Sequence, residues 1–430
     1  MFETFRNAWK TEDLRKRLLY TLLILILFRL GCAIPVPYIT SSALESMFTT
    51  GSMLTYLNMM SGGAMSRCTI FALGVQPYIN ATIIIQLLCV AIPYLENLSK
   101  EGEEGRQKLT KISNYTGAAI ALLLSIAYYF IIRRMGALKY TDGFAGIFSG
   151  IVIVACFTAG AQFVTWMGNQ IDAKGIGNGL SLMIFAGIVA DWSRVGSSFQ
   201  DMLTRAQAGA SGYYIMIPAM VILALVAVVF VVILTNAERR IPVQYAKKVV
   251  GRKVYGGQST FLPIKVTMSG VMPVIFASAI LSIPSTIRLF VGEPTGFWKG
   301  FFNAFSSTGW LYSVLYLLLI VVFAYFYMTI QYNPIEMANN LRTNNGTIPG
   351  IRPGRPTAEF ISKILSKITL IGAIFLAFVA ILPILYSNLT GMYGLSMGGT
   401  SVIIMVGVAL ETVKQIESQM MMRHYKGFLD

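Results

Sequence analysis

Ser52-Met53-Leu54-Thr55-Tyr56-Leu57-Asn58-Met59-Met60-Ser61-Gly62-Gly63-Ala64-Met65-Ser66-Arg67-Cys68 is the stretch whose reading decides the fold of this chain. It is apolar and Met-rich, yet Gly62-Gly63 splits it. A bilayer core about 30 Å thick takes roughly 20 helical residues to cross, and this segment is too short and too interrupted to do so. It runs directly into residues 69–91, an apolar run of full spanning length that carries Pro77. Half-length pieces and broken helices survive at membrane depth only where protein buries them or a water-filled path runs beside them. The juxtaposition points to a conduit.

Further apolar runs lie at residues 18–34, 115–132, 147–166, 180–192, 213–234, 264–287, 311–330, 364–384 and 399–413, so ten spans are expected in all, the fifth of them short. With 430 residues, 55% hydrophobic and 12% charged, the chain is excluded from the soluble class. The connecting loops are mostly too short to fold alone, which makes residues 1–430 one polytopic, all-α membrane domain. The first run ends in Cys32-Ala33-Ile34-Pro35-Val36-Pro37, without the small-residue pattern of a cleaved signal peptide. Cys32, Cys68, Cys89 and Cys156 stand singly and lack metal-site or disulfide spacing, so they read as small buried hydrophobes.

Most of the 34 Lys and Arg fall in the N-terminal tail and in the loops after the second, sixth and eighth runs. The positive-inside rule then puts both termini in the cytoplasm, in accord with an even number of spans. Five spans from a cytoplasmic start leave the chain outside, so the second five begin there and the two halves have inverted orientation. Residues 1–174 and 175–430 approximate these halves. Pro77 in the second run and Pro273 in the seventh occupy corresponding places, and paired interruptions of this kind mark a transport path.

Two cytoplasmic loops exceed what connection requires. Residues 235–265 contain Lys247-Lys248-Val249-Val250-Gly251-Arg252-Lys253-Val254-Tyr255, which alternates basic and apolar residues as a hairpin does. Residues 331–363 contain Ile348-Pro349-Gly350-Ile351-Arg352-Pro353-Gly354-Arg355-Pro356. Topogenic charge and attraction to anionic lipid account for the sign of both loops. Proline and glycine placed to fix their shape suggest docking surfaces as well.

Catalytic chemistry has little to work with. His424 is the single histidine, which excludes a histidine-based metal site and argues against a catalytic triad. Gly175-Ile176-Gly177-Asn178-Gly179 follows no strand and opens the fifth run, so it reads as a helix-start turn rather than a phosphate loop. Acidic residues in the runs are confined to their ends, at Asp191 and Glu411, whereas ion-coupled transporters carry ionisable groups near the midplane. Arg29 lies close enough to the outer interface to snorkel. No enzyme activity, metal or cofactor is expected.

Thr69-Ile70-Phe71-Ala72-Leu73-Gly74-Val75-Gln76-Pro77-Tyr78-Ile79-Asn80-Ala81-Thr82-Ile83-Ile84-Ile85-Gln86 closely resembles the signature of the SecY family, the main channel subunit of the bacterial Sec protein translocase. Further matches are Gly175–Gly179, Arg239-Arg240-Ile241-Pro242-Val243-Gln244-Tyr245, Leu262-Pro263-Ile264-Lys265-Val266, Pro349-Gly350-Ile351-Arg352-Pro353-Gly354 and Gly398-Gly399-Thr400-Ser401, in order along essentially the whole chain. The resemblance implies ten transmembrane helices in two inverted five-helix halves, closed as a clamshell around an hourglass pore. A plug helix is implied at 52–68, and a lateral seam between spans 2–3 and 7–8.

From the resemblance follow a pore ring of Val75, Ile79, Leu180, Ile184, Ile275 and Ile404, and a plug of Leu57, Asn58, Met59, Met60, Ser61, Gly62, Gly63, Ala64 and Met65. Lateral-gate candidates are Asn80, Thr82 and Thr267, the last standing where many bacterial members carry asparagine. Docking candidates are Arg239, Arg240, Lys247, Lys248, Arg252, Lys253 and Arg352. The implied function is passage of unfolded secretory polypeptides across the membrane, with sideways release of apolar segments into lipid. The implied partners are small SecE-like and SecG-like membrane subunits, a SecA-like ATPase motor, a translating ribosome, a preprotein with its signal sequence, and membrane lipid. No direct DNA binding is expected. The implied location is the bacterial plasma membrane. A small-solute secondary transporter is the alternative, and it requires convergent polar groups at mid-membrane.

Overall fold

The computed structural model describes residues 9–40, 58, 61, 63–190, 200, 203–204, 206–207, 213–245, 248–250, 253–255, 259–267, 270–291, 297–304, 310–390 and 399–426. Helices follow all ten apolar runs. α1 spans Glu12–Gly31 and α2 Gln76–Ala91. A short amphipathic α3, Pro93–Lys100, leads to α4, Glu103–Arg134, then α5, Gly143–Lys174, and the short α6, Gly179–Ala190. α7 is Tyr213–Asn236, α8 Met272–Val291, α9 Phe297–Ala304, α10 Trp310–Gln331 and α11 Pro334–Thr343. α12 runs over Arg355–Thr390 and α13 over Gly399–Lys426.

Helix is the form these runs must take, because a backbone in lipid has no water to bond and has to satisfy itself within the segment. The ends are marked electrostatically. Glu103 and Glu104 lie in the first turn of α4 and Arg133 and Arg134 in its last, each opposing the helix dipole. Asn333 caps α11, its side chain accepting from the amides of Ile335 and Glu336, with Pro334 in the first turn where its missing N–H costs nothing. Among the described residues five helical stretches are long and apolar enough to cross a membrane unaided, and the α2–α3 pair, bent by 107°, makes a sixth if taken as one span. α6 and the Met272–Pro284 part of α8 are shorter.

Pro77 and Pro273 do not break their helices. Each is the second residue of its helix, α2 and α8, and the run ahead of it is not helical. Residues 69–75 form turns, with Gly74 at φ +53°. The interruption expected inside the second and seventh runs is thus a late start, the arrangement that proline favours.

Two strand sets decorate the two large loops. β1, Glu238–Tyr245, pairs antiparallel with β4, Ser259–Lys265, from Glu238 opposite Lys265 to Gln244 opposite Ser259. Between them β2, Lys248–Val250, and β3, Lys253–Tyr255, form the expected hairpin. β5, Gly346–Thr347, comes from the other large loop and adds to β1 through Gln244 and Tyr245. The two loops therefore share one sheet and one core, which includes Ile241, Val243, Ile264, Leu341, Ile348 and Ile361. Sequence reading treated them separately, because nothing local in Gly346-Thr347 announces a partner a hundred residues away.

In the membrane portion α1, α4, α5 and α6 pack on one side, and α7, α8, α10, α12 and α13 on the other. α6 lies after 174/175 in the chain yet touches α5 and α1 as well as α13, so it packs on helices of both halves. The contact with α5 is close: a Cβ added to Gly179 would lie 2.1 Å from the Gly168 carbonyl oxygen. Small residues at such crossings let backbones approach without a side chain between them. Leu123, Ile151, Ile215 and Leu225 are more than half exposed and form the outer face, as lipid-facing side chains do.

Candidate functional site

A single buried apolar cluster unites both halves. Val75 and Ile79 from the start of α2, Ile184 from α6, Ile275 from α8 and Ile404 from α13 all belong to it, and Leu180 packs against it partly buried. Val75 and Ile79 share a helical face by their spacing, and Ile184 stands four residues after Leu180 on α6. The six ring candidates thus belong to one apolar core, reached from four helices spread along the chain. The late-starting helices α2 and α8 contribute Val75, Ile79 and Ile275 to it from their N-terminal ends.

Of the plug candidates, Asn58, Ser61, Gly63, Ala64 and Met65 are described and all are buried. Leu57, Met59, Met60 and Gly62 lie outside the described residues. Ala64 joins the central cluster, while Met65 and Cys68 join a second one formed with α4 and α5. Asn58 Oδ1 accepts from the Ser66 amide at 2.8 Å, Ser61 Oγ accepts from the Met65 amide at 3.2 Å, and Gly63 takes φ +81° to let the chain turn between them. Asn58 Nδ2 is buried and finds no partner among the described residues. Gly63, with the polar residues Asn58, Ser61 and Ser66 around it, carries a turn where the sequence indicated one.

Along one edge α2 and α4 face α8 and α10. The lateral-gate candidates behave differently from expectation. Asn80 accepts from Gln76 of its own helix at 3.4 Å, and the Thr82 hydroxyl donates to the Tyr78 carbonyl at 2.9 Å, also within α2. A threonine or asparagine on a helix surface finds a bond to the preceding turn more readily than one across a gap. Thr267 is buried in the lining of a cavity of about 480 Å³, which Asn178, Thr235, Lys265, Tyr327 and Lys414 also line. A side-chain bond that crosses this edge is one the sequence reading missed: Gln86 Nε2 donates to Tyr327 Oη, from α2 to α10, at 3.4 Å. Gln86 Oε1 is buried and finds no partner among the described residues, so the pair is only half satisfied there. Gln86 closes the quoted signature, and its polarity in the run Ile83-Ile84-Ile85-Gln86-Leu87-Leu88 was the available signal.

In the lining of the same cavity Lys414 Nζ donates to the Thr235 carbonyl at 3.3 Å, closing α13 onto the end of α7. Burial holds its ammonium below the ordinary lysine value, Lys265 adds to that, and Glu238 and Glu417 oppose it. Arg239, Arg240 and Arg352 are exposed on the shared loop unit, with Arg240 paired to Glu238 at 2.7 Å. Arg352 sits between Gly350 at φ +81° and Gly354 at φ +102°, and its carbonyl accepts from the Thr357 hydroxyl at 2.8 Å. Lys248 and Lys253 fall in the hairpin strands, while Lys247 and Arg252 lie outside the described residues.

The SecY family profile matches residues 69–413. Protein translocase subunit SecY of Mycobacterium bovis is 42% identical over the full length of both chains, as is the subunit of the same name from Streptomyces galbus. Among solved structures, a protein-conducting channel superposes with TM-score 0.65 at 18% identity, covering 94% of this chain and 92% of its own. Sec61 from a canine ribosome–channel complex of the endoplasmic reticulum follows at TM-score 0.63 and 18% identity, with the same coverage. Fold and central cluster define a multi-spanning helical membrane channel subunit. Within that class, the chain belongs to the SecY family.

Proposed function

We infer that this chain is the protein-conducting channel of a Sec translocase, passing unfolded secretory polypeptides through the Val75–Ile404 cluster and releasing apolar segments sideways between α2/α4 and α8/α10. The observation that carries the reading is the aliphatic character of the buried cluster that both halves share. A solute transporter would need convergent polar groups at that level, and the six ring candidates offer none. The plug reading of 52–68 draws support from its buried contact with the same cluster through Ala64.

Driving force comes from outside the chain in this reading. The shared loop unit offers an acidic or phosphate-bearing partner Arg239, Arg240 and Arg352, whose planar guanidinium forks suit both. A SecA-like ATPase and a translating ribosome are the proposed occupants, with SecE-like and SecG-like subunits alongside in the bilayer. Both termini are proposed to be cytoplasmic, in a bacterial plasma membrane. The test is reconstitution in proteoliposomes with a motor ATPase: a preprotein bearing a signal sequence should become protease-protected, while a fluorescent small solute should not accumulate. Solute uptake without preprotein protection would reverse the assignment.

A further inference from the structure

A phenol hydroxyl buried between apolar helices needs a partner. Tyr128, about two turns from the C-terminal end of α4, is 3% exposed, and its ring tilts against Phe157 of α5 with centroids 5.2 Å apart. Its hydroxyl donates to the Met65 carbonyl at 2.5 Å, and the same oxygen lies 3.4 Å from Cys68 Sγ. Both partners belong to the last turn of the segment 52–68. Cys68 itself has φ +47°, a conformation that a non-glycine residue keeps only where its surroundings over-determine it. From the other side the Val36 amide donates to the Cys68 carbonyl at 2.9 Å, the Ile70 amide donates to the Ile34 carbonyl at 3.1 Å, and Pro35 bridges Thr69.

Ahead of Met65 the described contacts are of another kind. The Gly63 amide donates to the Asn58 carbonyl at 2.8 Å, and Asn58 Oδ1 and Ser61 Oγ accept from the amides of Ser66 and Met65, all within the segment. Cys32 Sγ, just past the end of α1, donates to the Ser61 carbonyl at 3.7 Å. The stem Met65–Cys68 is thus held by α4 on one side and by residues 34–36 on the other.

We propose that Tyr128 is a positioning residue for the plug: a fixed post that locks the stem Met65–Cys68 to α4 and so fixes the seat of the closed state. The proposal rests on the reading of 52–68 as the plug. It assigns to α4 a part in closure that neither the ring nor the seam requires. Removal of the phenol oxygen frees the stem, and the closed state then competes with misplaced ones.

The test uses the full chain, purified with its native membrane partners and reconstituted in proteoliposomes. Tyr128→Phe keeps the ring against Phe157 and should raise resting ion conductance about three- to ten-fold, the scale of one lost hydrogen bond. Deletion of residues 57–65 should also leak, and Tyr128→Phe added to that deletion should leak no further, because the post acts only through the plug. Wild-type conductance in Tyr128→Phe beside a leaking deletion overturns the post and leaves the plug standing. A leak that adds to that of the deletion overturns it too, since loss of general packing would do that. A tight deletion variant removes the plug reading itself. Should Tyr128→Phe fail to fold, amide exchange on the unmodified protein decides: Ser66–Ile70 should be protected well beyond Asn58–Gly63, and equal protection contradicts the clamp.

Discussion

Ile79 and Ile184 are buried in the central cluster from two different helices, and the proposed ring sets their branched aliphatic chains where a resting channel would have to exclude water. A serine at either position gives water a hydrogen-bonding foothold in a constriction that otherwise dewets. The double variant Ile79→Ser/Ile184→Ser should keep its fold and raise resting ion conductance several-fold in planar bilayers. Conductance equal to the parent, with normal insertion, would remove both from the ring. Gln86 makes a different argument. A cross-helix bond in a membrane is worth about 0.6 kcal/mol on average and up to about 1.7, or roughly 3- to 15-fold in a seam-opening equilibrium. Gln86→Leu removes the bond to Tyr327 and also the buried Oε1. Weak signal sequences should then be exported more efficiently, and unchanged stringency would take Gln86 out of the seam. The same assay applied to Thr267→Asn tests the expectation that a stronger polar group there lowers the efficiency of weak signals.

At the scale of elements, the ten helices were legible because lipid permits a long apolar run little else. The Gly175–Gly179 turn was legible as a helix start, and the structure adds the reason: Asp172 Oδ1 accepts from the Gly179 amide at 2.7 Å, and Thr21 Oγ1 from the Ile176 amide at 3.1 Å. Less legible were features that depend on distant partners. Asn80 and Thr82 look like latch residues by polarity, but their own helix satisfies them. β5 is two residues long and exists only because β1 offers it an edge. The loop unit that results makes position matter. Arg352→Glu, with a lysine added elsewhere on the cytoplasmic side, keeps the topogenic charge and should leave insertion and orientation intact, while motor-driven translocation falls at least ten-fold. Normal translocation would reduce Arg352 to topogenic charge and leave docking to Arg239 and Arg240. Packing gives a second prediction here. Gly179→Val drives a side chain into the Gly168 carbonyl, so detergent-solubilised protein should unfold several degrees lower, whereas an unchanged transition would mean that α6 can shift away from α5 freely.

For the whole molecule, the two sets of helices meet at an apolar centre, a segment tied to α4 at one end sits against that centre, and one edge is joined by a half-satisfied polar pair. The arrangement suits a conduit that must be tight at rest and part sideways on demand, because each closure is made of weak, reversible contacts while the helices themselves stay intact. The central claim is that a polypeptide passes through the ring, and site-specific photo-crosslinking of a stalled preprotein tests it most directly. Photoreactive residues placed one at a time at Ile79, Ile184, Ile275 and Ile404 should each capture the translocating chain, while the same group at Leu123, on the lipid-facing side of α4, should capture lipid only. Capture at Leu123 with none at the four ring positions would contradict the account.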